Sequence, residues 1–139
     1  MNEPHEDPYD DLRAYALERA DETFILQHLV DAHAAQTANE TTKPISVAFA
    51  LMGLFLFLEM NYTGRNVQLA HMRMARHKKV WPVFSLPQDR GAITAAEVMS
   101  AEAGPARDAM IRTWCEAVWG TWKDSQSLVR TWVRSELNV

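Results

Sequence analysis

Cysteine is nearly missing from this chain. The single Cys115 rules out an intrachain disulfide and any cysteine-rich zinc site. Glycine and proline are scarce, at five and six residues in 139, which argues against a turn-rich all-β fold. Excess positive charge is also missing. The formal net charge of -4 speaks against general nucleic-acid affinity. The N-terminal MNEPHEDPYDD lacks the basic and apolar regions of a secretory signal, so a cytoplasmic location is expected. There is no HExxH, no GxSxG and no glycine-rich phosphate loop.

What is present is hydrophobic periodicity. From Val47 to Leu58 twelve residues pass without a charge or a side-chain hydrogen-bonding group. A helix that is apolar on all sides belongs in a core or a bilayer. A membrane span needs about 20 such residues. Lys43 and Glu59 close this run sooner, so Pro44–Met60 is read as a buried helix and no membrane is expected. Ser46, Ala50 and Gly53 give it a small-residue side, and Val47, Leu51, Leu54, Phe55 and Leu58 a bulky one.

Around this helix others are expected. Pro8 opens one running to about Ala20, and Asp21 caps another running from about Glu22 to Thr37 or Ala38. In the next, Arg65 to Lys78, the stripe Val67, Ala70, His71 and Met74 turns His71 toward the core. Trp81–Pro87 is extended because its two prolines forbid a helix. Thr94–Glu97 has the form of a capping box before a short helix to Ser100. One long final helix from about Pro105 to Glu136, bent near Ser125, completes the chain. The expected fold is all-α, one domain over residues 1–139 with residues 1–7 disordered. It is a compact bundle of four main helices plus one short helix, with an extended Pro-rich connector.

Chemistry is harder to place. Asp31, Glu59 and His71 could converge from neighbouring helices, with Gln36 beside them. The spacing lacks the repeated carboxylate–histidine pairs of a helical metal site, so no metal and no cofactor is expected. Cys115, between tryptophans, reads as a small core residue. Asp89-Arg90-Gly91 reads as a turn, although loop charges can hold ligands. The basic run Arg73–Lys79 reads as a solvated face, and nucleic acid is not an expected partner. Trp114, Trp119 and Trp122 cannot share one helix face, so either the last helix is covered on two sides, which is the first reading, or Trp119 lines a pocket or a dimer interface.

Several segments together carry a resemblance. They are VDAHAAQ at Val30–Gln36, TKPISVAFALMGLFLFLE at Thr42–Glu59 and TGRNVQLAHM at Thr63–Met72. WPVFSLPQDRGAITAAEVM at Trp81–Met99 and WCEAVWGTW at Trp114–Trp122 complete the set. In this combination the chain resembles the bacterial DUF5946 family of small proteins, whose name implies no activity. Relatives carry histidine where this chain has Thr37 and Ala50, which implies that chemistry through those histidines is absent here. Two functions from different classes are expected. One is a binding or interaction module without catalysis, as a homodimer or with a small-molecule pocket lined by Trp and Met. The other is an enzyme or metal-binding protein with a polar site at Asp31, Gln36, Glu59 and His71.

Overall fold

The helix Pro44–Met60 lies inside the molecule, from Val47 to Leu56 almost wholly sheltered from solvent. The computed structural model describes residues 7–19, 23, 25–76 and 80–139. Seven α-helices are found among them: α1 Pro8–Arg19, α2 Ile25–Thr37, α3 Pro44–Met60, α4 Gly64–Arg76, α5 Ala95–Ser100, α6 Pro105–Thr121 and α7 Gln126–Leu137. No strand occurs among the described residues. The all-helical reading therefore holds, but the expected count of four main helices and one short one does not. α1 is a packing element of its own, and the long C-terminal stretch is two helices. The expectations for residues 1–6, for the Asp21 cap and for the end of the basic run at 77–79 lie outside the described residues.

Local chemistry explains the boundaries. Pro44 opens α3, where its missing N–H costs nothing. Asn61 closes it at φ 58°, a left-handed conformation that asparagine tolerates, and the Tyr62 N–H reaches back to Leu56 O at 2.9 Å. The Glu97 carboxylate accepts the Thr94 N–H at 2.6 Å, as the capping-box spacing predicts for α5. Gly104, at φ 104°, turns the chain into Pro105 at the start of α6. A 3-10 turn at Lys123–Ser125 divides α6 from α7, and the Trp119 carbonyl accepts both the Trp122 N–H at 3.0 Å and the Gln126 side chain at 2.9 Å.

Four helices, α2, α4, α6 and α7, pack around α3. That is why α3 has no polar face. Leu51, Leu54 and Leu56 are each 0 % exposed, and burying a side chain of this kind contributes roughly 1.5–3 kcal/mol. Val47, Leu51, Leu54 and Phe55 of the bulky side are buried, while Leu58 is half-buried. Of the small-residue side, Ala50 and Gly53 are buried and Ser46 is exposed. α2 approaches along this side and places Asp31 against Gly53. No helix among the described residues is long and apolar enough to cross a membrane.

The Trp81–Pro87 connector is non-helical and lies along the core, with Phe84 buried. Trp81 meets Phe49 edge-on at 5.1 Å and Trp132 at 6.2 Å between ring centroids, tying the connector to α3 and α7. α5 packs on α1 and α6. Together with the preceding loop it forms a wall beside the C-terminal half of α2.

Candidate functional site

α2 carries polar side chains on two faces that serve different purposes. His28 and Asp31 point inward and are 4 % and 3 % exposed. The Asp31 Oδ1 accepts from Gln27 Nε2 at 3.1 Å, and Oδ2 has no hydrogen-bond donor among the described residues. Burial raises the Asp31 carboxyl well above the ordinary range of an aspartate, only partly offset by the Gln27 bond. The protonated form is therefore favoured in the fold. Beside it, the His28 ring stacks on Phe57 at 3.5 Å. Cys115 donates its thiol to the His28 carbonyl at 3.5 Å. Burial pushes that thiol far up, so it holds no thiolate for nucleophilic attack.

Gln36 faces another way and is fully engaged. Its Nε2 donates to the carbonyls of Arg90 at 2.9 Å and Ile93 at 2.7 Å. Its Oε1 accepts from the Trp114 indole N–H at 3.1 Å. Arg90 returns a bond from its guanidinium to the Gln36 carbonyl at 3.3 Å. This latch fixes the 88–93 loop to α2 and α6.

Glu59 ends α3 in a clamp. Arg130 approaches it with two nitrogens, at 2.7 and 2.8 Å, and the Trp119 indole N–H donates to it at 2.9 Å. The Arg130 bonds come first among the causes that hold its carboxyl below the usual range, partial burial opposes them, and the Trp119 bond adds to them. Trp119 itself is 6 % exposed. His71 donates from Nε2 to the Phe49 carbonyl at 3.0 Å, since a carbonyl can only accept, and its ring stacks on Phe49 at 4.8 Å. Burial lowers its pKa and keeps the ring neutral near pH 7.

Asp31, Glu59 and His71 thus meet α3 at Gly53, at its end and at Phe49, each with its own neighbours. From residue 49 to residue 59 the helix advances about 15 Å. Among the described residues no group of three or more His, Cys, Asp or Glu side chains is placed to hold a metal ion. Gln36 stands apart from these three, behind a cleft.

The cleft has a volume of about 380 Å³ and is lined by residues of α1, α2, the 88–94 loop and α5. Tyr9 and His33 form one wall as a parallel stack with centroids 3.6 Å apart. Gln36 and Thr37 continue it, Arg90 and Gly91 supply the loop side, and Thr94, Ala95 and Ala96 the α5 side. Burial lowers the His33 pKa, against the opposing influence of Asp7, so the imidazole is neutral near pH 7. Gly91 sits at φ 93°, a conformation that needs glycine. The expected Trp and Met lining is not found here among the described residues. Of this lining, Gln36 and the charge at Arg90 stood out in the sequence. Tyr9, His33 and Thr94 did not, because they come from separate stretches that no local pattern joins.

Neither a search of curated proteins nor one of solved structures finds a match to this chain. A family model does match, over residues 6–123, covering α1 to α6 and every cleft residue. The chain belongs to DUF5946, a family of unknown function.

Proposed function

We propose that the protein is a small helical binding module, without catalysis, whose ligand enters the cleft between α1, α2, the 88–94 loop and α5. The observation that carries this reading is the cleft of about 380 Å³, at the small end of the range for small-molecule pockets. Its walls are rigid, because the Gln36 latch holds the loop and the capping interaction of Thr94 with Glu97 holds α5. Three reactive groups outside the cleft are already sequestered. Cys115 is sealed as a thiol, Asp31 is buried, and Glu59 is bound by Arg130 and Trp119.

The test is a thermal-shift screen of small polar and aromatic fragments on the full chain. A fragment that binds the native state raises Tm in proportion to its concentration over Kd. Ala96, exposed on α5 and lining the cleft, offers a way to fill it without touching the core. Hits on the wild type that vanish in Ala96→Phe support the reading. Hits that persist in a folded Ala96→Phe variant, or no hits at all, contradict it.

A further inference from the structure

The cleft holds two opposite charges with different residual capacity. Arg90 is half-buried, and among the described residues one bond, to the Gln36 carbonyl at 3.3 Å, engages its guanidinium. No carboxylate among the described residues forms an ion pair with it. A guanidinium carries five N–H donors in a planar fork suited to a carboxylate, so most of that fork is open. Asp7 lines the same cleft. Its Oδ1 accepts the Tyr9 N–H at 2.9 Å, which leaves the other oxygen available.

Both charges line the cleft, Arg90 from the 88–94 loop and Asp7 from the residue before α1. Arg90 bonds to Gln36, while the charge of Asp7 acts on His33. A cleft of about 380 Å³ that both charges line admits a ligand the size of an amino acid. The rest of the lining combines Pro8, Ala95, Ala96 and the Tyr9–His33 stack with the polar side chains of Gln36, Thr37 and Thr94.

We infer that the ligand of this cleft is a small zwitterion of the amino-acid kind. Its carboxylate lies on Arg90, its ammonium on Asp7, and its side chain against Tyr9, His33 and the α5 alanines. This rests on the reading of the cleft as a ligand site. The arrangement rejects either half of the ligand alone, since a lone carboxylate leaves Asp7 without its counter-charge and a lone amine leaves Arg90 without one.

Isothermal titration of the full chain decides it. The probes are free amino acids, the matched carboxylic acids lacking the amine, and the matched amines lacking the carboxylate. At least one amino acid binds, and each truncated counterpart binds about tenfold more weakly or worse. Asp7→Asn, at an exposed position that leaves the core alone, reduces the amino acid to the level of its acid and leaves the acid unchanged. Arg90→Gln removes the preference for a carboxylate. Equal binding of acid and amino acid, with Asp7→Asn silent, overturns the zwitterion while leaving the cleft as a ligand site. No binding by any probe also overturns it, and the fragment screen with Ala96→Phe then judges the cleft independently.

Discussion

The carboxyl of Asp31 occupies the space that a side chain at residue 53 would need. A Cβ built on Gly53 falls 1.8 Å from Asp31 Oδ2 and 2.5 Å from its Cγ. Asp31 cannot simply swing away, because its other oxygen is held by Gln27 and the residue is 3 % exposed. The glycine in the middle of α3 is therefore a docking notch for α2.

Gly53→Ala is expected to destabilise the protein by about 1–3 kcal/mol through overpacking. This outcome opposes the gain of about 1 kcal/mol that alanine brings to a helix interior. Urea unfolding of Gly53→Ala, Asp31→Ala and the double variant checks it. The double variant should be more stable than the sum of the singles predicts, with a coupling of about 0.5–3 kcal/mol.

The same carboxyl makes stability depend on pH. An unfolded aspartate ionises near pH 3.9, by the usual model value of roughly that size. In the fold, burial raises the Asp31 pKa well above it. Between the two values the native state binds more protons than the unfolded state, so this group lowers stability as pH rises through that window. Asp31→Asn lacks the proton. Its stability relative to wild type should climb from about pH 4 toward neutrality. A difference that stays flat in urea melts across this range would contradict the protonated state.

Glu59 behaves in the opposite sense. Its folded pKa is lowered, chiefly by Arg130, so its contribution is present above the unfolded value of about 4.3 and is lost as pH falls through the folded one. Arg130 and Glu59 are both partly solvent-exposed, so Arg130→Ala should cost only about 0.2–1 kcal/mol. Glu59→Ala also strips the acceptor from the Trp119 indole and should cost more, about 1–3 kcal/mol. Equal losses in thermal melts would show that the indole bond is not significant.

Gln36 should act as the latch of the cleft loop. Gln36→Ala leaves the Trp114 N–H and the Arg90 and Ile93 carbonyls without their partner. A loss of about 1–3 kcal/mol is expected. Limited trypsin digestion reads the loop directly: cleavage after Arg90 should be faster in Gln36→Ala than in wild type under native conditions.

The architecture was legible where composition leaves no choice. Twelve apolar residues from Val47 to Leu58 must be covered on every side, and four helices cover them. The caps at Pro44, Thr94 and Pro105 were legible too, because each is a local interaction. The site was less so. Gln36 stood out as a polar candidate beside Asp31, Glu59 and His71, but its role as a loop latch depends on carbonyls 54 and 57 residues away. His71 was read as core-facing and is half-buried, satisfied by a backbone carbonyl of α3. Tyr9 and His33 meet only because α1 folds back along α2. The division of the last helix at Lys123–Ser125 replaces a bend because Trp119, Trp122 and Val129 must all reach the core.

The most direct measurement is a two-dimensional 1H–15N NMR titration of the full chain with the free amino acid that binds most tightly. Binding in the cleft predicts shifts concentrated at Tyr9, His33, Gly91 and Thr94–Ala96, and their disappearance in Ala96→Phe. Shifts centred instead on Asp31, Glu59 and His71, or no shifts with any amino acid, would contradict an amino-acid-binding cleft.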